Sequence, residues 1–188
     1  MKIVMTGILI VTLIVFTGCG KQEDSQKAQE DSQKAPKPPD IALWEAAAQG
    51  NLEAIQQHIE AGSDLNQKEP SRGSSPLITA AAFGQTEAAK ALIEAGADVN
   101  YQNNEGSTAL HTAAFFCRIE IVEALLENGA DKNLKNNAGR TALESVSAPF
   151  DEVKGLYDQL SASLGPLGIV LDYEQIKMTR PKIAEMLR

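Results

Sequence analysis

The amino-acid sequence predicts an all-α solenoid of about four helix-turn-helix units, and internal repetition is the main observation behind this fold class. Three segments, starting at Leu43, Leu77 and Leu110, align with one another along their whole length. The glycines and asparagines that recur in register, after 34 and then 33 residues, are Gly62, Gly96, Gly129, Asn66, Asn100 and Asn133. One such unit cannot bury its own apolar face, so we expect the units to stack around a shared core.

Composition and charge exclude several classes of protein. The chain has 188 residues, with 17 Lys and Arg against 25 Asp and Glu and a formal net charge of −8. Nucleic-acid binding requires a basic face, so we expect no nucleic-acid partner. Two cysteines and two histidines give neither a disulfide framework nor a four-cysteine zinc site, and we expect no metal and no cofactor. An apolar fraction of 43% is typical of a folded protein.

An apolar run opens the chain and predicts an export signal. Residues 3–16 are apolar except for Thr and Gly, and they follow the single basic residue Lys2. These 14 residues are fewer than the roughly 20 of a membrane-spanning helix and suit the apolar centre of a secretory signal peptide. An uncleaved signal anchor is the alternative.

The end of the apolar run predicts lipid attachment. The sequence FTGC at residues 16–19 resembles the lipobox of bacterial lipoproteins, with Phe at the position where that family usually has Leu. The resemblance implies that residues 1–18 are a type II signal peptide and that Cys19 is the lipid attachment site, acylated with chains such as palmitate. Gly20 resembles the residue that follows the cysteine in lipoproteins sent to an outer membrane. We therefore expect an exported protein, lipid-anchored at a bacterial membrane, and at the outer membrane facing the periplasm where the organism has one.

Residues 19–40 are predicted to be the lipidated cysteine and a disordered tether. The heptad QEDSQKA occurs twice without a change over residues 22–35 and is followed by PKPP. Ala is the only apolar residue type in the heptad, so the segment cannot bury a core. A short charged helix is the alternative, although it would have no apolar seam for a partner helix.

Residues 41–146 are predicted to form the repeat units, each with a short first helix and an amphipathic second helix. Pairs of alanines in the first helices allow neighbouring units to pack closely. Gly50 and Gly84 can adopt the left-handed conformation that ends a helix, and Cys117 stands at the same place in the third unit. The second helix of the third unit has an apolar stripe of Ile119, Ile121, Val122, Leu125 and Leu126.

The start of each repeat has a recognisable pattern. The best copy is TALHTA at residues 108–113, and a weaker copy is SPLITA at residues 75–80. Such a start with a 33-residue period resembles the ankyrin repeat. The resemblance implies an ankyrin-type solenoid in which His111 bonds to turn backbone, and a non-catalytic protein that binds a protein partner. No nucleophile elbow, phosphate loop or paired-carboxylate motif in the sequence predicts an enzyme.

Three further side chains could carry chemistry, and a structural role is expected for each. His58 replaces an apolar residue of a second helix and is expected to be a partly buried packing residue. Cys117 has no intramolecular partner if Cys19 is acylated, so we expect a free thiol, and nothing in the sequence indicates the lowered pKa of a redox sensor. Trp44 stands at the His111 position of the first unit and is expected to shield the end of the solenoid.

Residues 147–188 are predicted to contain an insertion and the C-terminal cap. Leu143 is 40 residues from Ile183, against 11 for the matching pair in the third unit, an excess of 29 residues. The insertion is expected to begin with an amphipathic helix whose apolar positions are Phe150, Val153, Leu156, Tyr157, Leu160 and Leu164. The last ten residues resemble an ankyrin second helix, with Thr179 as the expected N-cap. The insertion is either an elaboration of the cap or a small functional element over residues 150–178.

Carried over position by position, the ankyrin resemblance places the partner contacts on turn tips and on exposed positions of the first helices. These positions are Arg72, Ser74, Ala82, Phe83, Glu105, Ser107, Phe115, Phe116, Ala138 and Arg140. Phe is unusual at helix positions that face water, and aromatic and Arg side chains are enriched in binding hot spots. The alternative is that the insertion folds back and covers the three phenylalanines.

These observations lead to one expected function and one alternative. The expected function is that of a monomeric, membrane-anchored protein that binds a protein partner in the cell envelope without catalysis. The alternative is an envelope regulator or inhibitor that acts through the insertion at residues 150–178.

Overall fold

The structure of the protein is a computed structural model in which residues 36–167 and 169–188 are described. Helices and turns make up these described ranges, which contain no β-strand. None of the helices described there is long and apolar enough to span a membrane. The predicted signal peptide, Cys19 and residues 19–35 of the tether lie outside the described residues.

Seven helices form the repeat region, as three pairs and one single helix. The first helices of the units are α1 Leu43–Gln49, α3 Pro76–Phe83, α5 Ala109–Phe115 and α7 Ala142–Val146. The second helices are α2 Leu52–Glu60, α4 Thr86–Glu94 and α6 Ile119–Glu127. First helices pack on one another in chain order, and second helices do the same. The predicted all-α solenoid of helix-turn-helix units is thus confirmed.

Turn residues fix the bounds of the first helices. Ser75, Thr108 and Thr141 precede α3, α5 and α7, and each side chain accepts a hydrogen bond from a backbone N–H in the first turn. Gly50 and Gly84 follow α1 and α3 with φ angles of 67° and 72°, in the left-handed region that glycine adopts without a steric penalty. In the second unit, Ser75 and Gly84 both start and stop α3, which is why this first helix is short.

The core is a continuous layer of small and branched apolar side chains between the helices. Leu43, Leu77 and Leu110, the first residues of the aligned segments, are at most 1% exposed. The alanine pairs of the first helices are fully buried, which lets adjacent units approach closely. Each unit thus covers the apolar face of its neighbour, and stability comes from stacking.

Two long helices follow the repeats and close the solenoid. α8 Phe150–Leu164 continues into a short 3-10 helix, Gly165–Leu167, and α9 Tyr173–Leu187 ends the chain. α9 packs on α5, α6 and α7, and Ile183 is fully buried there. The last helix therefore covers the open end of the repeat region, as expected of a cap.

The predicted N-cap of this last helix, Thr179, is wrong. The N-cap is Asp172, seven residues earlier, whose carboxylate accepts a hydrogen bond from the backbone N–H of Gln175 at 3.0 Å. Thr179 lies inside α9 and is buried, as is Ile176. Pro181 lies inside this helix, where a proline costs about 3 kcal/mol. Burial of the additional turns against the repeats offsets this cost.

Candidate partner-binding groove

A groove of about 530 Å³ crosses the first helices and the turns that precede them. Its lining extends from Trp44 in the first unit to Ser145 in the fourth. The predicted contact residues that line it are Arg72, Ser74, Ala82, Phe83, Glu105, Ser107, Phe115 and Phe116. Ala138 and Arg140 are exposed on the last turn but do not line the groove, where Asn136 takes their place.

The three predicted phenylalanines are all half-buried, but in different surroundings. The ring of Phe115 stacks on that of Tyr157 from the insertion, with 5.0 Å between ring centroids. Phe116 meets Phe115 edge-on at 5.1 Å, and Phe83 lines the groove one unit earlier. The insertion therefore packs against Phe115, and all three phenylalanines line the groove.

The insertion supplies a second wall of the groove, opposite the repeats. This insertion wall consists of Leu160, Leu164 and Ile169. Among the other predicted apolar positions of α8, Tyr157 is fully buried, Phe150 and Val153 are partly buried, and Leu156 is 46% exposed. Sequence repetition could not predict this wall, because the insertion has no counterpart in the other units.

Trp44 was expected to shield the solenoid end, and the structure places it, half-buried, in the lining of the groove. It stands on α1 at the position that His111 occupies on α5, and both residues line the groove. The register of the repeats is the signal that could have identified Trp44 as a contact candidate. It is the only tryptophan in the chain.

Three equivalent turn residues, Glu69, Asn103 and Asn136, lie along one edge of the groove. The Asn103 Oδ1 accepts hydrogen bonds from the backbone N–H groups of Glu105 at 3.0 Å and Ser107 at 2.9 Å. The Asn136 Oδ1 accepts two in the same way, at 3.0 and 3.1 Å. These bonds fix each amide within its own turn.

In the second unit, the carboxylate of Glu69 stands where the later units have the side-chain amides of Asn103 and Asn136. Burial opposes its ionisation, but hydrogen bonds from Ser71, Arg72 and Ser74 outweigh this effect and hold the pKa of Glu69 below its usual value. Glu69 is therefore charged at neutral pH, and its carboxylate is hydrogen-bonded within its own turn.

One buried tyrosine joins the insertion to the repeats. The Tyr157 hydroxyl donates a hydrogen bond to the carbonyl of Phe115 at 2.7 Å and accepts one from the Arg180 Nη1 at 2.8 Å. The Arg180 Nη2 also donates to the carbonyl of Ala148 at 2.9 Å. Burial raises the pKa of Tyr157 to about 12, although Arg180 opposes the shift. The hydroxyl thus stays protonated and bridges α5 and α9.

The histidines and the cysteine have structural surroundings. His111 Nε2 donates to the carbonyl of Arg140 at 3.0 Å, as the resemblance implied, and burial lowers the pKa of His111. His58 bonds through both ring nitrogens, to the Ile41 carbonyl and the Ser63 hydroxyl. Burial raises the pKa of the Cys117 thiol to about 11. Within the described ranges, no three His, Cys, Asp or Glu side chains converge on a metal site.

Comparison with known protein families agrees with this architecture. A family profile described as Ankyrin repeats (3 copies) matches residues 43–136, half of the chain. No curated protein gives a match. Ankyrin-repeat proteins are generally protein-interaction modules and not enzymes. The helix pairs, the groove across the first helices and the matched profile together show that the chain belongs to the ankyrin-repeat family.

Proposed function

We propose that this protein binds a partner protein in its groove and performs no catalysis itself. The observation that supports this proposal is that eight of the ten contact positions carried over from the ankyrin resemblance line one groove. Phe83, Phe116 and Trp44 supply the aromatic surface, and aromatic residues dominate the energetics of protein interfaces. Phe115 has a structural role instead, because its ring packs against the insertion.

Photo-crosslinking tests the groove directly. A benzoylphenylalanine residue placed at position 116 in intact cells is expected to form a discrete protein adduct, and one placed at position 52 is not. Leu52 is a matched control, since it is 46% exposed and lies on a second helix. In the same strain Phe83→Ser should reduce the adduct from position 116 at least about tenfold, since loss of a hot-spot residue costs about 2 kcal/mol or more. Equal adducts from positions 116 and 52 would contradict the proposal.

We further propose that the protein is exported and attached to a bacterial membrane through lipid on Cys19, with residues 1–18 removed. The proposal is supported by the apolar run and by the FTGC sequence that ends it. Residues 19–40 then act as a tether with an r.m.s. reach of roughly 25 Å. Such a tether holds a monomeric ankyrin domain near the membrane surface, at the periplasmic face of an outer membrane where one exists.

A Cys19→Ala variant tests this attachment. Wild type is expected to incorporate an alkyne-labelled palmitate and to fractionate with membranes, and the variant to do neither. Cys117→Ala is the control, because Cys117 is buried in the folded domain and should not be acylated. Equal labelling of wild type and Cys19→Ala would refute lipid attachment at this residue.

A second candidate function is regulation or inhibition of an envelope protein through the insertion at residues 150–178. One observation favours it: the outer surface of α8 carries Leu156, a large apolar side chain that is 46% exposed. Crosslinking from position 156 separates the two functions. An adduct from position 156 and none from position 116 would favour the insertion as the binding element.

A further inference from the structure

We propose that α8 is a movable cover on the groove, which hides a contact position until the helix unfolds locally. In the closed state the ring of Tyr157 stacks on that of Phe115. The inference rests on the proposed function and adds to it how access to the binding site is regulated. It differs from the second candidate function, since α8 here acts on the groove of its own chain.

The position that α8 covers lines the groove in each of the first three units. Phe115 aligns with Ala48 of the first unit and Ala82 of the second, and all three residues line the groove. The centroid of the Tyr157 ring lies 5.0 Å from that of Phe115, and the Tyr157 hydroxyl donates to the Phe115 carbonyl at 2.7 Å. One face of an aromatic ring on the contact surface is therefore occupied by the chain itself.

Few side chains hold α8 against the rest of the domain. Nine of its fifteen residues are exposed, and only Tyr157 and Leu164 are buried. Segments with few buried apolar contacts open at a lower free energy than the rest of a domain, and lids are drawn from such segments. In α9, by contrast, Ile176, Ile183 and Leu187 are all buried. We therefore expect α8 to open while α9 stays in place.

The sequence of α8 makes the detached helix weak. Gly155 lies exposed in its middle, where a Cβ would meet no residue of the described ranges within 4 Å beyond its own helix backbone and chain neighbours. A glycine inside a helix costs stability relative to alanine. Pro149 at the N-cap offers no side-chain acceptor to the first turn, and isolated helices of about 15 residues are marginal in water. An α8 that leaves the repeats therefore unfolds.

The Arg180 side chain stays in position when α8 leaves. Its Nη1 donates to the Tyr157 hydroxyl at 2.8 Å, and its Nη2 donates to the carbonyl of Ala148 at 2.9 Å. The second bond does not involve α8, because Ala148 precedes that helix. Arg180 itself lies on α9 and is 2% exposed. The partner of the Tyr157 hydroxyl is therefore held in place in the open state, so α8 can return to the same position.

Two opposite substitutions test the opening of α8 without changing the groove. Gly155→Ala strengthens the helix and Ala162→Gly weakens it, and both positions are exposed and outside the groove lining. In the full chain, purified in detergent, we expect amide hydrogen exchange of α8 to be about fivefold slower in Gly155→Ala and severalfold faster in Ala162→Gly. Exchange of α9 should stay unchanged in both. Exchange of α8 that neither variant changes, or α8 and α9 shifting together, would overturn the inference.

The photo-crosslink from position 116 in intact cells measures the effect of this opening on binding. We expect Gly155→Ala to reduce the adduct and Ala162→Gly to increase it, each severalfold, because the open state alone frees the covered face of Phe115. A larger adduct in Gly155→Ala would overturn the inference, since α8 would then hold the partner instead of excluding it. Equal adducts in wild type and both variants, still lost in Phe83→Ser, would also overturn it and leave the proposed function intact. No adduct in any variant would refute the proposed function, and the inference with it.

Discussion

At the residue scale, Cys117 replaces the glycine of the earlier units at the place where the cap packs on the third unit. It is the one non-glycine residue with positive φ among the described residues, at 59°, and it stands where Gly50 and Gly84 stand in the earlier units. At those glycines a Cβ would lie 2.5 Å from the side-chain oxygen of Gln85 and 2.7 Å from the guanidinium carbon of Arg118, each from the next unit. In the unit after Cys117, the insertion follows the first helix α7 directly. A thiol fills the space, 3.8 Å from the carbonyl of Ile176.

The left-handed conformation of Cys117 leads to a stability prediction. We expect Cys117→Gly to be more stable than Cys117→Ala by about 1 kcal/mol, since both variants lose the thiol and only alanine keeps the backbone strain. Urea unfolding measures the difference. Gly84→Ala is a useful comparison and should be destabilising, because strain and crowding against Arg118 add there. Equal free energies of unfolding for the two Cys117 variants would show that the backbone at this position carries no strain.

The buried thiol also makes stability depend on alkaline pH. Burial raises the pKa of Cys117 from 9.0 to about 11, with Arg180 and Arg118 opposing the shift. The folded state therefore holds this proton more tightly than the unfolded state, and the resulting stabilisation is complete below about pH 9 and is lost as the pH rises through 11. We expect the free energy of unfolding to fall more steeply between pH 9 and 11 in wild type than in Cys117→Gly. Parallel urea curves over that range would contradict this linkage.

At the element scale, the repeat pattern predicts the positions of most helices. Local sequence signals predict the wrong start for the last helix. The positions of α1 to α6 follow from the alignment of the three segments, whose glycines Gly62, Gly96 and Gly129 recur in register. Thr179 was expected to be the N-cap because threonine favours that position and precedes the segment that resembles an ankyrin second helix. Burial of Ile176 against the repeats outweighs that local preference, and it is a tertiary effect that depends on where α9 packs.

The packing of α8 on the repeats is a second feature that sequence analysis left open, with fold-back of the insertion onto the phenylalanines as one of two alternatives. Of its fifteen residues only Tyr157 and Leu164 are buried, and Tyr157 contacts Phe115, which is 42 residues away in the sequence. No repeat register encodes that contact. The wall of the candidate groove could therefore be found only from the packed structure, whereas most of its floor was implied by the ankyrin resemblance.

Tyr157→Phe tests whether this hydroxyl holds α8 in place. The variant removes both hydrogen bonds of the hydroxyl and leaves the buried Arg180 Nη1 without that acceptor, at an expected cost of about 1–3 kcal/mol. We expect faster amide hydrogen exchange in α8, with α4 unchanged, because the lost contacts are local to the insertion. Leu156→Ala on the exposed side of the same helix is the control. Unchanged exchange in α8 of the Tyr157→Phe variant would mean that ring packing alone fixes the helix.

At the scale of the whole molecule, the domain is a short stack in which each helix pair contacts its neighbours. Stability in such an array is a sum of unit and interface terms, and a short array loses much of it when one end is weakened. The two ends differ in what protects them. α9 covers the last unit, with Ile176, Ile183 and Leu187 buried, whereas the first unit is contacted by the short segment before α1, through Ile41.

Ile183→Ala tests whether the cap stabilises the stack as one unit. Truncation of a fully buried isoleucine should cost about 2–5 kcal/mol. Trp44 reports on the first unit, at the opposite end of the described domain, while circular dichroism reports on all helices. If so short an array unfolds in one cooperative step, both signals should shift to lower urea by the same amount. A lower midpoint by circular dichroism with an unchanged Trp44 midpoint would show that the first units fold independently of the cap. Lys182→Ala, at an exposed neighbouring position, is the control and should change neither midpoint.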